Sequence, residues 1–405
     1  MPPLTNLPFQ SSDLHPLNKA TVLQIVSGDE VTPSSRAAIE VAAALSAAGA
    51  RALVACPAKL KGELQAKGGI YLALPSSSKN PLLMALSVHG LARVIETERA
   101  DIVHVRSRAL GWTAYAATRL TRTPLVTSYR CGYDSRSPIS ARYNSVLARG
   151  DIVLAESNFA AALAAKHFPP ATKKIRVVRR GIDCQTFAQG AIAPERVEAV
   201  RRQWRAAPHE QVVLMLASCC DVSSTGELIE AVRLLSRTGL SGVKFILVCG
   251  NNDAVSHARR MDRAIAREGL QGILVRGSCC EMPAALLAAT LVAVLPAAGA
   301  LDIGEAVIQA QAMGTPVIAT NVGAAPEIVL APPAVTESGR TGYLVAPGDA
   351  PALAVTMANI LMLGPSARSR LSARAIAHAE KHHSAGRVCA DILEVYASLR
   401  RARRR

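Results

Sequence analysis

The chain has 405 residues, half of them apolar but only 3% aromatic, which suits two domains with cores of Ala, Val, Leu and Ile. Lys and Arg outnumber Asp and Glu by 46 to 30, and the resulting formal charge of +16 favours anionic partners. Scarce aromatic residues and the lack of a groove-reading motif argue against nucleic acid. A membrane face or phosphorylated ligands fit the charge; a solvated basic surface is the alternative.

Short β-branched runs alternate with amphipathic segments through the first half of the chain, which predicts parallel strands joined by helices. The predicted strands are 21–26, 52–56, 69–74, 101–105, 124–128, 151–155 and 175–178, and the predicted helices are 35–48 and 81–99. Parallel crossovers of this kind imply one doubly wound domain, which ends near the segment RRGIDCQTF at 179–187.

A polar segment at 188–211 leads into a second series of the same kind. Strands are predicted at 212–216, 244–248, 272–275, 291–295 and 316–320, helices at 225–237, 257–268 and 305–313, and a turn with a short strand at 339–346. We therefore predict an α/β protein with two Rossmann-like doubly wound domains facing a cleft. The predicted division is 1–190, 191–380 and a C-terminal amphipathic helix with a basic tail at 381–405.

The run from Met282 to Leu301 is twenty residues long, contains no charge, and could cross a bilayer by length alone. Pro283 suits a first helical position, and Pro296 and Gly299 interrupt the run, so we favour a buried helix followed by a buried strand. The basic tail RRARRR leaves two interpretations open, a solvated or disordered tail and a membrane contact.

Nine cysteines without a C-x-x-C pair fit neither a zinc site nor a secreted disulfide framework. We interpret them as reduced, mostly buried thiols of a cytoplasmic protein. The N-terminus has no basic start followed by an apolar core, so no signal peptide is expected.

The most informative stretch runs from Ala298 to Val329 and reads AGALDIGEAVIQAQAMGTPVIATNVGAAPEIV. It predicts a loop ending at Gly304, a helix, a strand, and a second loop containing Gly323. In an open parallel sheet such a layout offers backbone N–H groups and a helix N-terminus to a phosphate. A nucleotide is therefore expected here.

Several segments resemble the family 4 glycosyltransferases of the GT-B fold, and particularly bacterial members that act in cell-envelope polysaccharide or lipopolysaccharide synthesis. The resemblance covers nearly the whole chain and rests on SKNP, DIVHVRSRA, YNSVLARGD, RVVRRGID, QAQAMGTPVIAT and GRTGYLVAPGD. It implies retaining transfer of a hexose from a nucleotide sugar to an acceptor bound by the N-terminal domain. It also implies no metal and no cofactor other than the donor as co-substrate.

The sequence departs from the family pattern at most of the positions that handle the donor. Where the family has an Arg and a Lys for the donor phosphates, ungapped alignment places Ser218 and Ser223. Where it has two acids around the donor sugar, this chain has Leu301 and Gln309. Thr32 and Pro33 replace a glycine pair, and Arg130 replaces an acceptor-side His.

Neighbouring residues offer replacements for the missing groups. Asp302 and Glu305, with Gln309, are the catalytic candidates, although Asp302 also suits a helix cap and Glu305 the helix dipole. The donor-binding candidates are Ser218, Ser223, Arg276, Ile303, Gly304, Gly323 and Glu327, and Glu327 also suits a helix start. The acceptor-binding candidates are Arg106, Arg108 and Arg130, with a solvated charge as the alternative for each.

Two hypotheses follow. The first is a transferase acting in the cytoplasm, or peripherally on the anionic inner membrane face, with a lipid-linked or polysaccharide acceptor and with weakened activity. The second is a catalytically inactive relative that binds or scaffolds in the same pathway, with a pathway glycosyltransferase as partner.

Overall fold

Parallel strands joined by helices form the first half of the chain. The computed structural model describes residues 15–26, 31–73, 81–130, 137–217, 222–249, 255–277, 281–295 and 304–404. The first strands are β1 (Thr21–Ile25), β2 (Arg51–Ala55), β3 (Ile70–Tyr71), β4 (Ile102–Val105), β5 (Leu125–Tyr129), β6 (Ile152–Ala155) and β7 (Ile175–Val177). They pair in parallel in the order β3-β2-β1-β4-β5-β6-β7. The winding direction changes between β1 and β4.

The helices of this half cover both faces of the sheet. They are α1 (Pro33–Ala47), α2 (Lys61–Ala66), α3 (Pro81–Thr97), α4 (Gly111–Thr121), α5 (Pro138–Asn144) and α6 (Asn158–His167). Thr32 and Pro33, where the resemblance implies a glycine pair, begin α1: the Thr32 hydroxyl accepts from the Ser35 backbone N–H at 3.2 Å, and Pro33 occupies the first turn. Both residue types suit a helix start.

The second half repeats the architecture with six strands. They are β8 (Gln211–Ala217), β9 (Val243–Cys249), β10 (Leu274–Gly277), β11 (Leu291–Leu295), β12 (Val317–Thr320) and β13 (Tyr343–Val345), parallel in the order β10-β9-β8-β11-β12-β13. The helices are α7 (Pro194–Gln203), α8 (Val222–Ser236), α9 (Val255–Arg267), α10 (Met282–Ala288), α11 (Gly304–Ala312), α12 (Ala325–Ile328), α13 (Ala350–Leu361) and α14 (Pro365–His383). The prediction of two Rossmann-like doubly wound sheets is confirmed.

Central strands are buried along their whole length. Every residue of β1, β5, β11 and β12 is buried, as expected for a parallel sheet with helices on both faces. The uncharged run that begins at Met282 forms α10 and β11, so its described part is a buried helix and strand, as we predicted. Among the described residues no single helix has the length and hydropathy of a bilayer span; α13 and α14 meet that test only as a pair, bent by 110°.

The chain divides into two compact units, and its last helix, α15 (Ala385–Arg404), belongs to the first. The second unit extends from Ile182 to Ser384, compared with a predicted domain of 191–380. Arg400 Nη1 donates to the carbonyls of Pro16 and Asn18, at 2.8 and 2.9 Å. The basic end is therefore helical up to Arg404, and Arg400 anchors it to the first unit. A disordered tail, one of the two interpretations of the sequence, is not what the structure shows.

The structure contains helices that the pattern did not reveal. The segment predicted as a polar bridge, 188–211, contains α7, whose charged surface masks the buried Val200. Helices α4, α6, α13 and α14 were not assigned, because their many Ala residues weaken the contrast between faces. The strand predicted at 69–74 is only Ile70–Tyr71.

The described cysteines are free thiols, as expected for reduced cysteines. Cys56, Cys184 and Cys389 form no disulfide. Burial raises the pKa of Cys389 to about 12, and burial together with nearby Glu380 and Asp183 raises the pKa of Cys184 to about 11. Thiols with such pKa values are poor nucleophiles at neutral pH.

Candidate functional site

Ligands of open parallel sheets bind at the carboxyl ends of the strands, near the point where the strand order reverses. In the first unit this point lies between β1 and β4, and Arg106 directly follows β4. In the second unit it lies between β8 and β11, and Gly304 begins α11, the helix that follows β11. Arg106 and Gly304 thus lie at the carboxyl edge of their sheets.

Arg106, an acceptor-binding candidate, is tied to the interior of the first unit. Its Nε and Nη2 donate to Gln24 Oε1 at 3.2 and 3.0 Å, and Gln24 in turn donates to the Ala38 carbonyl at 3.0 Å. Burial lowers the pKa of Arg106 from its ordinary value. The side chain is therefore a hydrogen-bonded, half-buried group, unlike the solvated charge that we considered as the alternative.

A buried histidine next to Arg106 links the sheet to the C-terminal helix. His104 Nδ1 lies 2.6 Å from Tyr396 Oη and His104 Nε2 lies 2.8 Å from Ser128 Oγ. Burial, reinforced by Arg106, holds the pKa of His104 well below its usual value, so the ring is neutral. Sequence reasoning did not select His104, although strand alternation places residues 104 and 106 on one side.

Arg108 and Arg130 have described polar partners. Arg108 Nη1 donates to Asn144 Oδ1 at 3.0 Å, and its guanidinium lies 5.8 Å from the centre of the Tyr143 ring. Arg130 Nε donates to Glu156 Oε1 at 2.6 Å.

Glu156 also binds a second arginine. Arg180 Nη2 donates to Glu156 Oε2 at 2.6 Å, so one carboxylate joins the ends of β5 and β6 to the segment after β7. The triad of Arg130, Glu156 and Arg180 carries a net charge of +1 and leaves the sheet edge cationic. Glu156 was not predicted, because its partners come from separate strand ends.

In the second unit, two of the catalytic candidates contact each other. Gln309 Nε2 donates to Glu305 Oε1 at 3.1 Å, one turn apart on α11. Gly304, the first residue of α11, is buried, and a Cβ added there would meet Ile328 Cδ1 at 3.2 Å. The backbone at the start of α11 is thus closely packed, and Glu305 is hydrogen-bonded to the amide of Gln309 one turn later.

Gly323 and Glu327 lie in the segment after β12. Gly323 has a φ of 60°, the left-handed conformation that favours glycine. Glu327 lies in the first turn of α12, where its backbone N–H donates to the Ala324 carbonyl at 3.0 Å. The loop predicted after β12 is therefore a turn with Gly323 in the left-handed conformation, followed by a short helix that contains Glu327.

Arg276, predicted as a compensating cation, is paired with an acid. Its Nε and Nη2 donate to Asp262 Oδ1 and Oδ2 at 2.7 and 3.1 Å, and its side chain is 39% exposed. A bidentate pair of this kind fixes the guanidinium on α9. A phosphate that uses Arg276 would have to compete with Asp262.

The remaining donor-side candidates lie outside what the structure describes. Ser218, Asp302 and Ile303 are outside the described residues, and Ser223 belongs to α8 without a described side chain. Two carboxyl-edge loops of this unit are described, NVGA at 321–324 and APGD at 346–349, and they contain no Lys or Arg.

Two polar atoms near these loops have no partner among the described residues. Glu227 Oε2 accepts from the Gly348 backbone N–H at 3.1 Å, but its Oε1 is buried and unpaired. Thr320 Oγ1, at the end of β12, is also buried and unpaired. Burial raises the pKa of Glu227. Each of these oxygens needs a partner such as a ligand, an ion or a water, and the sequence pattern gave no sign of either.

Side chains that could bind a metal ion do not cluster among the described residues. Within the described ranges, no group of three or more His, Cys, Asp or Glu residues has an arrangement that could hold a metal ion.

Both halves of the chain match family models. The Glycosyltransferase Family 4 model matches residues 34–186, and the Glycosyl transferases group 1 model matches residues 210–363. A curated relative, the D-inositol 3-phosphate glycosyltransferase of Corynebacterium efficiens, is 26% identical over 294 residues, which are 69% of this chain and 67% of that protein.

Solved structures share the fold over nearly the whole chain. A glycosyltransferase from Rickettsia africae has a TM-score of 0.79 and 25% identity, covering 94% of this chain and 99% of the other. The Anabaena protein HepE in complex with UDP-glucose has a TM-score of 0.71 and 18% identity, covering 93% and 99%. These matches confirm the GT-B fold class, and the chain belongs to the GT-B glycosyltransferases of family 4.

Proposed function

We propose that this protein transfers a hexosyl group, with retention, from a nucleotide sugar to a lipid-linked or polysaccharide acceptor in envelope glycan synthesis. It does so in the cytoplasm or on the inner membrane face, more slowly than relatives that have the donor-phosphate Arg and Lys. The observation that carries the proposal is the described backbone of the donor edge, where α11 begins at Gly304 and Gly323 forms a left-handed turn. Helix starts and turns of this kind direct backbone N–H groups at phosphates.

The reduced rate follows from the chemistry of the leaving group. Breaking the sugar–phosphate bond leaves negative charge on a nucleoside diphosphate, which the protein must stabilise. A charge-assisted hydrogen bond contributes about 1.5–3 kcal/mol, so two neutral serines in place of Arg and Lys remove roughly 3–6 kcal/mol. Because each ~1.4 kcal/mol corresponds to a factor of ten, we expect a loss of rate of roughly a hundred- to ten-thousandfold.

On the donor sugar we assign Glu305 as an acid and Gln309 as the residue that positions it. The 3.1 Å hydrogen bond restricts the Glu305 carboxylate to the side of α11 where Gln309 lies. An acid held near the anomeric carbon stabilises the positive charge that develops there as the leaving group departs.

On the acceptor side, the cationic edge of the first unit suits an acceptor that carries phosphate. Arg130 and Arg180 share the carboxylate of Glu156, and Arg108, which donates to Asn144, adds a third guanidinium group to this edge. An acceptor phosphate would displace part of the Glu156 pairing and bind the two arginines that it links. The relative named for D-inositol 3-phosphate is consistent with a phosphorylated acceptor.

The test is donor binding and transfer measured on the same protein. Calorimetry with UDP-, GDP-, ADP- and dTDP-hexoses should give affinity weaker than micromolar for one donor, and a labelled hexose from that donor should appear in a lipid or glycan fraction. Gln309→Ala should lower the transfer rate with little effect on donor affinity. Micromolar affinity would contradict the weakened phosphate site, and transfer unchanged by Gln309→Ala would contradict the positioning role.

A second candidate function is an inactive relative that binds or scaffolds beside a pathway glycosyltransferase. The pairing of Arg276 with Asp262 favours it, together with the lack of Lys and Arg in the loops 321–324 and 346–349. This candidate predicts neither donor binding nor transfer, even when the two phosphate-site charges are restored, and predicts that the partner transferase copurifies with the chain.

A further inference from the structure

A surface of the first unit around α4 and α5 combines aromatic rings, arginines and an exposed aliphatic side chain. We call it the α4–α5 face and define it by Trp112, Tyr115, Arg119, Ile139, Arg142, Tyr143 and Arg149. None of these residues belongs to the donor or acceptor candidates. The function proposed above therefore assigns no chemical step to this face.

Direct contacts join the members of this face into one surface. Trp112 Nε1 donates to the Tyr143 carbonyl at 3.1 Å, which connects α4 to α5. The Arg149 guanidinium lies 5.2 Å from the Trp112 ring and 5.7 Å from the Tyr115 ring, and Arg119 lies 5.2 Å from Tyr115. Trp112 and Tyr115 meet edge to face with centroids 6.1 Å apart.

The apolar part of the face is exposed to solvent. Ile139 is 82% exposed and Tyr143 is 44% exposed, and they are four positions apart on α5, so they share one side of that helix. An isoleucine with this exposure buries little apolar area in the fold itself. It supplies apolar surface that a partner would cover.

The charged residues that define the face are all arginines. The described stretches 107–130 and 137–150 contain six arginines, at positions 108, 119, 122, 130, 142 and 149, and no Asp or Glu. Outside these stretches, Asp151 pairs with Arg119 at 3.0 Å. Arg142 and Arg149 are exposed, so the complementary partner is anionic.

We infer that the α4–α5 face docks on an anionic lipid surface. Ile139 and Tyr143 enter the boundary between headgroups and acyl chains, Trp112 and Tyr115 lie at headgroup depth, and the arginines bind lipid phosphates. Aromatic residues with basic neighbours are typical of interfacial contacts of this kind. The inference deepens the proposed location at a membrane, but vesicle binding needs no donor, so the two proposals fail separately.

A lipid surface explains the face better than nucleic acid does. Arginine side chains already lie against the rings of Trp112, Tyr115 and Tyr143, so these rings are poorly placed to stack on bases. Ile139 is an aliphatic side chain with 82% exposure, and an acyl chain would cover it better than a base would.

The test is flotation of the full chain with vesicles of phosphatidylcholine, with and without 30% phosphatidylglycerol. We expect binding only to the anionic vesicles, weakened by salt. Arg142→Gln with Arg149→Gln should lower the partition coefficient by on the order of tenfold or more, since each cation near such a surface contributes roughly fivefold. Ile139→Ser with Tyr143→Ser should lower it as well.

Matched controls alter the second unit and the basic end of α15. Val355→Ser with Met362→Ser removes apolar side chains of 60% and 69% exposure, and Arg260→Gln with Arg263→Gln removes two exposed charges. Both controls should bind as the wild type does, and all variants should keep the wild-type circular dichroism spectrum. If Arg401→Gln with Arg403→Gln abolishes binding while the face variants do not, the face is not the docking surface.

Trp112 gives a second measurement that reports position directly. The chain has two tryptophans, and Trp204 is 1% exposed, so the Trp112 signal should shift to the blue on anionic vesicles and be quenched by brominated lipid. Trp112→Phe should lose that quenching. The inference is wrong if brominated lipid does not quench the wild type. It is also wrong if the face variants lose RNA binding but keep vesicle binding.

Discussion

Gln309 donates a hydrogen bond to Glu305 across one turn of α11, with Nε2 and Oε1 3.1 Å apart. The family resemblance implies an acid at position 309, and here the position instead supplies a neutral donor to the acid that precedes it. The start of α11 therefore holds one carboxylate in a fixed place, where a second acid would add charge. The amide at position 309 is thus one of the points where the chain departs from the pattern that the resemblance implies.

Restoring the acid at this position should make stability depend on pH. In Gln309→Glu two carboxylates face each other at i and i+4, which destabilises a helix by about 0.2–0.5 kcal/mol when both are ionised. The loss should be present at pH 8 and should shrink as the pH falls and the carboxylates protonate. Urea unfolding at pH 8 and pH 4.5 measures it. Gln309→Ala is the control, with a loss that is the same at both pH values; an equal pH response in both variants would contradict the contact.

His104 should make the first unit less stable in acid. Its folded pKa is well below the usual 6.5, so between the two values the unfolded chain binds a proton that the folded chain does not. Stability therefore falls as the pH drops below 6.5, by up to about 1.4 kcal/mol per pH unit. His104→Asn should flatten the acid limb of the stability curve in urea unfolding followed by Trp112 fluorescence. His167→Gln, at an exposed site, should leave the limb unchanged.

Glu156 should hold the cationic edge of the first unit together. Glu156→Gln weakens both contacts to Arg130 and Arg180, each 2.6 Å in length, and should lower stability by about 1–2 kcal/mol. It should also strengthen inorganic phosphate binding, because both guanidinium groups lose their anion. Phosphate titration and urea unfolding measure the two effects. Glu230→Gln, which breaks an exposed pair with Arg233, should change neither; weaker phosphate binding in Glu156→Gln would refute the competition.

Gly314, the glycine of the QAMG segment, should be costlier to replace than a glycine that has open space around it. It has a φ of 66°, and a Cβ would lie 2.1 Å from Ser372 Oγ and 2.9 Å from Ile376 Cδ1 of α14. Gly314→Ala should cost about 1–2 kcal/mol for the backbone and about 1–3 kcal/mol more for overpacking. Gly348→Ala, with a φ of 77° and open space, should cost only the backbone part. Equal losses in denaturant unfolding would show that α14 adapts freely.

Local pattern was enough to predict most of the framework. The β-branched runs gave β8, β11 and β12 to within a residue or two, because buried parallel strands need continuous apolar sequence. The spacing of Glu305 and Gln309 likewise put them within reach on one helix. Ala-rich helices such as α4 were missed, because alanine fits either face.

The polar contacts of the first unit could not be predicted in the same way. His104 and Tyr396 are 292 positions apart, and their contact depends on α15 returning to the first sheet. The sharing of Glu156 by two arginines depends on strand order, which no local pattern encodes. Sites assembled from separate strand ends require the topology to be known first.

The central claim is slow transfer from a nucleotide sugar at a donor edge that has Gly304 and Gly323 but lacks the Arg and Lys that the family resemblance implies. The most direct test is the rate of nucleoside diphosphate release from UDP-, GDP-, ADP- and dTDP-hexoses by the wild type and by Ser218→Arg with Ser223→Lys. We predict slow release from one donor by the wild type, and an increase of roughly a hundredfold or more in the double variant. No release from any donor by either protein, with both folded, would contradict the claim and favour the inactive scaffold.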